Sequence, residues 1–256
     1  MGGALAEAVS KAADCRLLIA DRDAERAAAR ALELGAETAD NDAVAARSDY
    51  IFLGVKPQMM EEMLAALRPT LEARQTPPVL VSMAAGLSTE TITAMAGRPY
   101  PLIRIMPNTP ARVGEGMILY AGANGVTESQ LAEFRRIMAA AGRLSALPEK
   151  LIDAASAVSG CGPAYVYLFI EALADGAVEC GLPRALAQDY AAQTVLGAAR
   201  MVLETGCHPG ELKDAVCSPG GTTIAGVHAL EAGGFRSLAM DAVVAAYEKT
   251  LSLSGR

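Results

Sequence analysis

The chain has 256 residues, of which 52% are hydrophobic, and its formal net charge is −7. This length allows one large domain or two modest ones, with enough apolar residues for a core. The negative charge argues against a nucleic-acid-binding protein, because phosphate contacts need clustered Lys and Arg and the sequence has no such run. Aromatic residues are only 4% and Trp is absent, which favours helices packed through small side chains.

The five cysteines are scattered and form no CxxC pair. This pattern is typical of free thiols in a reducing compartment, and it indicates a cytoplasmic protein. No basic segment followed by an apolar one marks the start for export. The most hydrophobic stretch, Ala164 to Val178, is interrupted by Glu171 and Asp175, so it predicts a packed helix and not a membrane span.

Short apolar runs alternate with helical stretches in the first half. The runs of strand length are Arg16 to Asp21, Tyr50 to Val55, Val79 to Met83 and Leu102 to Met106. Helical stretches are predicted between them, at Asp23 to Leu34, Met59 to Leu67 and Thr89 to Met95. Continuous hydrophobicity indicates strands buried on both faces, as in a parallel sheet covered by helices. The prediction is an α/β, doubly wound, Rossmann-like fold.

Two more strands are predicted at Met117 to Tyr120 and Leu144 to Leu147. The helix between them opens with Thr127 and Gln130 in the spacing of a capping box. Beyond Pro148 the pattern is helical to the end. First helical turns are predicted to begin at Pro148, Pro163, Pro183 and Pro209. Helices are predicted to end at Gly181 and Gly206. We therefore expect a nucleotide-binding domain at 1–147 and an all-α domain at 148–256.

Polar residues follow two of the buried strands. Asp21 and Arg22 end the first, where doubly wound folds hold the adenosine ribose. The acid favours a free 2′-hydroxyl, as in NADH, and the arginine can hold a 2′-phosphate, as in NADPH. The pair therefore does not decide which coenzyme is preferred. Lys56 and Pro57 follow a second buried strand, and backbone groups from Gly54 to Lys56 are predicted to line the cofactor cleft.

Two further strands end in small or turn-forming residues, at Ser82 to Gly86 and Arg104 to Pro110. Small residues there would admit a flat nicotinamide ring, and Asn108 or Thr109 can hydrogen-bond its carboxamide. Ordinary turn chemistry explains each segment equally well.

The most specific segment runs from Ser218 to Thr223, with a predicted helix following at Ile224 to Leu230. Consecutive glycines before a helix can direct several N–H groups at one point, which suits a small carboxylate. A tight turn with a hydroxyl cap is the plainer interpretation. The sequence has no metal-ligand cluster and no Ser/His/Asp set, and we expect His208 to start a helix and His228 to lie within one.

Several spaced motifs occur together in one order. They are Val55-Lys56-Pro57, Ala84-Ala85-Gly86, Met106 to Pro110, Ser159 to Tyr165, Glu204 to Pro209, and Leu212-Lys213-Asp214 leading into Ser218 to Thr223. In this combination, over nearly the whole chain, the sequence resembles the Δ1-pyrroline-5-carboxylate reductases. The resemblance implies NADPH- or NADH-dependent reduction of a cyclic imino acid to proline, the last step of proline biosynthesis.

The resemblance also implies an N-terminal Rossmann domain and a helical domain that intertwines with a second copy, with the substrate site at the dimer interface. By position, the family's substrate loop falls on Ser218, Gly220, Gly221, Thr222 and Thr223. Thr223 matches the threonine that faces the imine nitrogen, and Thr222 stands beside it. The family's cofactor contacts fall on Asn41, Val55, Lys56, Ala84 and Asn108.

One departure from the family's pattern concerns the start. Relatives open with a strand and GxGxMG, and here Met1 and Gly2 align with the end of that motif, which makes Gly2 a candidate cofactor contact. We therefore expect the first strand of the sheet, and half of the pyrophosphate cradle, to be missing.

The resemblance implies that hydride goes to the C=N carbon, that the loop from Gly220 to Thr223 holds the substrate carboxylate, and that the Thr223 hydroxyl orients the ring nitrogen. One alternative is a catalytically inactive, truncated homologue that acts as a dimerisation module. Another is a reductase related to the β-hydroxyacid dehydrogenases, which usually rely on a helix Lys as acid/base, and no Lys of this sequence has a fitting context.

Overall fold

The computed structural model describes residues 1–12 and 14–253. The chain divides into two compact units, Met1–Cys161 with the C-terminal stretch from Ala246, and Gly162–Ala245. The boundary at 147 and 148 stays a prediction, since the compact division lies at a different point in the helical part.

The first unit is an α/β structure. Its helices are α1 (Gly2–Ser10), α2 (Ala24–Leu34), α3 (Asn41–Arg47), α4 (Met60–Glu72), α5 (Thr89–Ala96), α6 (Glu128–Met138) and α7 (Ile152–Ser159). Its strands are β1 (Leu18–Ile19), β2 (Glu37–Thr38), β3 (Tyr50–Leu53), β4 (Val79–Ser82), β5 (Leu102–Met106), β6 (Gly116–Ala123) and β7 (Gly142–Ala146). Short 3-10 turns lie at Pro57–Met59, Thr109–Val113, Ala139–Ala141 and Glu149–Leu151.

Five of the strands form one sheet in the order β3-β4-β5-β6-β7. The predicted parallel pairing is confirmed for β3 with β4, β4 with β5 and β6 with β7. It is wrong for β5 and β6, which pair antiparallel, with Met106 opposite Leu119. The link between these two strands is too short for the helical crossover that a parallel pair needs.

The remaining strands, β1 and β2, form a separate parallel pair, with Leu18 opposite Glu37. In the part of the chain that the structure describes, β1 pairs only with β2 and β3 pairs only with β4. The first helix, α1, begins at Gly2, directly after Met1. The sheet is therefore interrupted between β1 and β3, which is where the expected first strand of a doubly wound sheet would lie.

One apolar core spans this interruption. Leu5 and Val9 of α1 are buried together with sheet residues such as Val81 and Ile103. Leu17, which precedes β1, and Phe52 of β3 pack against the same core. The helix α1 thus holds the two sheets to a common core by burial of apolar surface.

The second unit is helical. It contains α8 (Gly162–Glu179), α9 (Arg184–Thr205), α10 (Pro209–Ala215) and α11 (Thr222–Ala232), and most of α12 (Phe235–Leu253). Pro209 begins α10 and Gly206 ends α9 in the left-handed conformation, as predicted. Pro183 stands one residue earlier than predicted, as the N-cap of α9.

The helices of this unit bury few of their apolar side chains. Ala174 of α8 packs on Ala187 and Ala191 of α9, so α8 is packed on one side. Leu168 and Met240, by contrast, are each 68% exposed. The run Glu149–Glu179 is long and apolar enough to cross a membrane by length and composition, although the same test selects helices of soluble proteins.

Candidate active site

Three candidate segments meet at one edge of the five-stranded sheet. The parallel strands β3, β4 and β5 are neighbours, and Ser82 of β4 lies opposite both Leu53 and Arg104. Their carboxyl ends therefore bring together the segments that follow them, which hold Val55, Lys56 and Pro57, then Ala84, then Asn108. Ligands of open α/β sheets bind at this edge, so the predicted grouping of these residues agrees with the strand order.

The Asn108 amide is buried and already has partners within the chain. Its Nδ2 donates to the Ser159 carbonyl oxygen at 2.8 Å, and its Oδ1 accepts from the Met117 N–H at 2.9 Å. One N–H and one lone pair are left for a ligand. The side chain thus fixes the loop after β5 against the end of α7, and the contact with a carboxamide stays a prediction.

The Ser159 hydroxyl lies next to this contact. Its Oγ is buried and has no hydrogen-bond partner in the described chain. A buried hydroxyl without a partner costs free energy unless a ligand or water satisfies it. This orphaned donor fits a site that is completed by a polar group such as a cofactor amide.

A buried ionic cluster stands behind the same edge. Arg104 of β5 is 1% exposed and donates to Glu149 at 3.2 Å and to Asp153 at 2.8 Å. Glu149 also accepts from the backbone N–H of Thr89 at 2.7 Å and from its hydroxyl at 2.5 Å. The cluster therefore joins the middle of β5 to the start of α5 and to α7.

The Glu149 carboxylate is stabilised in its ionised form. Partial burial acts to raise its pKa, but the hydrogen bonds from Thr89 and Arg104 outweigh burial and hold the pKa below its ordinary value. Glu149 is thus ionised at neutral pH, and its hydrogen bonds fix elements that flank the segments carrying Ala84 and Asn108.

Asp21 and Arg22 follow β1, where adenosine binding is predicted, and both are exposed. Asn41 is the first residue of α3, also exposed, and its helix is capped by Asp40. Asn41 had no signal in composition or spacing beyond the resemblance.

The backbone at two candidate cofactor positions is open. A Cβ added at Gly2, in the first turn of α1, or at Gly54, after β3, would meet no atom within 4 Å. The first N–H groups of a helix have no intrahelical partner and suit a phosphate, and Lys56 adds a cation at the neighbouring strand end. By their chemistry, helix N–H groups and Lys56 suit a diphosphate, and an acid or an arginine after β1 suits an adenosine ribose, so these residues fit a dinucleotide.

The candidate substrate loop lies in the second unit, between α10 and α11. The Gly221 N–H donates to the Ser218 carbonyl at 3.0 Å, and Gly220 is left-handed with φ 67°. With Pro219 at the second position, this is a type II turn, which needs glycine at its third position. A Cβ on Gly221 would lie 2.3 Å from Ser218 Oγ and 3.1 Å from the Ser218 carbonyl oxygen, so an added side chain would displace the Ser218 hydroxyl and crowd the turn.

Thr222 and Thr223 form the first turn of α11 and are exposed. Gly221 is the N-cap, and no side chain caps the helix. The N–H groups of Thr222, Thr223 and Ile224 consequently have no acceptor within the described chain. The predicted helix thus begins two residues earlier than Ile224, and both hydroxyls lie beside free N–H groups.

Neither histidine stands in a catalytic arrangement. His208 caps α10 by accepting the Gly210 N–H at 3.0 Å, and His228 lies within α11, both as predicted. Among the described residues, no group of three or more His, Cys, Asp or Glu is placed to hold a metal.

Sequence reasoning missed the cluster of Arg104, Glu149 and Asp153. The available signal was a charged residue in the middle of the apolar run Leu102 to Met106, since a buried arginine requires a carboxylate partner. The partners lie 45 and 49 residues further along the chain, and no local pattern identifies them.

Comparison with known proteins gives two family matches. The family described as pyrroline-5-carboxylate reductase dimerisation matches residues 149–253. The family described as NADP oxidoreductase, coenzyme F420-dependent, matches residues 1–86.

Individual relatives agree with these matches. A pyrroline-5-carboxylate reductase of Glycine max is 48% identical over 214 residues, which are 84% of this chain and 77% of the relative. The Plasmodium falciparum pyrroline carboxylate reductase, solved with NADP bound, has a TM-score of 0.87 at 33% identity and covers 99% of this chain and 94% of its own. The Coxiella burnetii pyrroline-5-carboxylate reductase has a TM-score of 0.89 at 31% identity, covering 98% and 94%.

Proposed function

The chain belongs to the pyrroline-5-carboxylate reductase family, and from this premise we propose how its residues divide the work of the reaction. The protein is an oxidoreductase that reduces 1-pyrroline-5-carboxylate to L-proline with NAD(P)H. In our proposal the first unit supplies the cofactor contacts, and the turn before α11 supplies the substrate contacts.

The observation that carries the substrate assignment is the type II turn that leads into free helix N–H groups. The substrate has a carboxylate, and the N–H groups of Thr222, Thr223 and Ile224 form a site for such an anion at the positive end of α11. Ser218 and the two glycines shape the turn, so Ser218, Gly220, Gly221, Thr222 and Thr223 are our proposed substrate residues.

NAD(P)H, when held by the proposed cofactor residues, would supply a hydride to the carbon of the protonated C=N bond. The electron pair of that bond passes to the nitrogen, which then takes a proton from water to give the ammonium group of proline. The chain's own residues orient the substrate for this transfer. The Thr223 hydroxyl hydrogen-bonds the ring nitrogen, and Thr222 lies beside it in the same helical turn. An iminium carbon is already electrophilic, so proximity and alignment supply most of the rate enhancement.

The proposed cofactor residues are those that follow strands or begin helices in the first unit. Gly2 and the N-terminus of α1 hold the diphosphate, and Asp21 and Arg22 hold the adenosine ribose. The remaining proposed contacts are Asn41, Val55, Lys56, Pro57, Ala84 and Asn108.

The second unit serves self-association. The dimerisation family matches it, and its helices expose large apolar side chains such as Tyr167, Leu168 and Met240. Exposed apolar surface of this kind marks an interface, and a second copy of the chain is our proposed occupant. We also propose a cytoplasmic location, which the five free cysteines support.

The alternatives are not favoured. Close agreement with pyrroline-5-carboxylate reductases over 84% of the chain is the finding that speaks against a β-hydroxyacid dehydrogenase-like activity. The same agreement speaks against a purely structural dimerisation module.

The test is oxidation of NADPH and of NADH by the purified chain with pyrroline-5-carboxylate, with proline measured as the product. A matched reaction without the imino acid gives the background oxidation. Coenzyme oxidation in step with proline formation supports the proposal, whereas a folded oligomer that forms no proline contradicts it.

A further inference from the structure

The carboxylate at the end of β1 is already held by an arginine. Arg26 of α2 donates to Asp21 through two nitrogens, Nη2 to Oδ1 at 2.6 Å and Nε to Oδ2 at 3.2 Å. The Asp23 N–H donates to the same carboxylate at 3.0 Å. This two-point contact fixes the orientation of both side chains, as is usual for arginine and a carboxylate.

The pair lies within reach of a ligand. The Arg26 side chain is 67% exposed and the Asp21 side chain is 35% exposed. The hydrogen bond from Arg26 lowers the pKa of Asp21, so the acid is ionised at neutral pH. Both partners thus carry full charge where a ribose would lie.

The charges at this position cancel. Asp21 and Arg26 contribute one of each sign, and the neighbouring residues Arg22 and Asp23 do the same. Asp23 caps α2 by accepting the Arg26 N–H at 3.1 Å, whereas Arg22 is exposed and makes no ion pair in the described chain.

An acid at this position of a nucleotide-binding sheet usually accepts the ribose 2′-hydroxyl and disfavours a 2′-phosphate, and an arginine does the reverse. A lone Asp21 would therefore select NADH, and a lone Arg26 would select NADPH. When Asp21 and Arg26 are paired, each offsets the coenzyme preference that the other would impose.

We propose that the Asp21–Arg26 pair makes the adenosine site accept both coenzymes, so that NADH and NADPH bind with comparable affinity and each residue alone tips the choice in the opposite direction. The inference rests on the proposed function in one respect, the placement of the adenosine ribose at the end of β1. It assigns Arg26 a role in specificity, next to Asp21 and Arg22.

The test measures dissociation constants for NADH and NADPH by the change in coenzyme fluorescence on binding, in the absence of substrate. The chain has no Trp, which reduces overlap from protein emission. The variants are Asp21→Ala, Arg26→Ala and the double variant. Glu128→Ala is the matched control, because Glu128 pairs with Arg135 at 2.5 Å on the surface of α6.

In the wild type, we expect the two constants to agree within about tenfold. Asp21→Ala should shift the ratio toward NADPH by about tenfold, and Arg26→Ala should shift it toward NADH by a similar factor. The double variant should return close to the wild-type ratio, since both charges are gone. Glu128→Ala should leave the ratio unchanged.

A wild-type preference larger than tenfold would overturn the inference. The inference would also be overturned if Asp21→Ala and Arg26→Ala both shifted the ratio of the two dissociation constants toward the same coenzyme. If both coenzymes bind and neither variant alters the ratio, the ribose is not at the end of β1, and the reductase activity still stands. Wild-type protein that binds neither coenzyme would instead remove the proposed function together with this inference.

Discussion

Arg104 and Asp153 form an ion pair of 2.8 Å inside the first unit, and their side chains are only 1% and 4% exposed. The pair joins a strand of the sheet to the helix α7, whose last residue, Ser159, accepts the Asn108 amide. A charge buried to this degree depends on its partners, and Asp153 is one of the two carboxylates that pair with Arg104.

The first prediction concerns this buried pair. Arg104→Met keeps much of the side-chain volume but removes the guanidinium that pairs with the carboxylates of Asp153 and Glu149, and we expect a loss of about 3–5 kcal/mol in the free energy of unfolding. Urea unfolding at a fixed protein concentration measures the loss. Lys11→Met is the control, since Lys11 pairs with Glu7 at 3.8 Å on the surface, and it should cost no more than about 1 kcal/mol. Equal effects of the two substitutions would contradict the prediction.

The second prediction concerns the acid stability of the same cluster. The pKa of Glu149 is lower in the folded chain than in the unfolded chain, where it is about 4.3. Ionised Glu149 therefore stabilises the fold fully above the unfolded pKa, and this stabilisation is lost as the pH falls through the folded pKa. Thermal unfolding from pH 7 down to about 3 should therefore show a less steep loss of stability in Glu149→Gln than in the wild type. Parallel curves for the two proteins would show that Glu149 adds nothing to acid sensitivity.

The sequence predicted those features that depend on near neighbours. The capping box of Thr127 and Gln130 forms as expected, because both residues belong to one helical turn. The strand β2 and the helix α3 were not predicted, since the short segment from Glu37 to Arg47 has few apolar residues and its strand is two residues long. Alternating or periodic hydrophobicity cannot identify elements of that kind.

Contacts between distant parts of the chain could not be predicted in the same way. Asn108 was predicted to hydrogen-bond a carboxamide, which stays a prediction, and its contact with the Ser159 carbonyl oxygen, 51 residues further along, had no local signal. The Ser218 to Thr223 loop was easier to interpret, because its turn, its glycines and its helix start are all local. The turn before α11 could therefore be predicted from the sequence, whereas the hydrogen bonds at the edge of the sheet could not.

The third prediction tests the proposed role of Thr223. Thr223→Ala removes the hydroxyl that we propose as the contact of the imine nitrogen, and we expect turnover to fall by about 10- to 100-fold. Thr223 is exposed at the start of α11, so the unfolding midpoint should change little. Thr223→Ser keeps a hydroxyl and should recover most of the rate. Wild-type turnover in Thr223→Ala would remove this residue from the mechanism.

The fourth prediction tests the shape of the substrate turn. A Cβ on Gly221 would lie 2.3 Å from Ser218 Oγ and 3.1 Å from the Ser218 carbonyl oxygen. Gly221→Ala should open the turn to relieve overpacking of about 1–3 kcal/mol, and the KM for pyrroline-5-carboxylate should rise about tenfold. Ser218→Ala removes the nearer atom, so adding it to Gly221→Ala should recover part of the loss. Strictly additive effects of the two substitutions would contradict a steric cause.

The fifth prediction concerns the interruption of the sheet between β1 and β3. Both strands have an edge without a strand partner in the described chain, and Leu17 and Phe52 beside them pack on one common core. A segment fused ahead of Met1 that forms a strand and a GxGxM loop should pair with both edges and add N–H groups at the start of α1.

We expect this extended protein to bind NADPH at least about tenfold more tightly than the 256-residue chain and to unfold at a higher urea concentration. A fusion of equal length and polar, glycine-rich sequence is the control, because it adds residues without strand-forming side chains. If the added strand pairs with the backbone of β1 and β3, only the strand-forming fusion should gain NADPH affinity and stability. If the two fusions bind NADPH equally well, the interruption between β1 and β3 does not limit cofactor binding, and the diphosphate site is complete with α1 and Lys56.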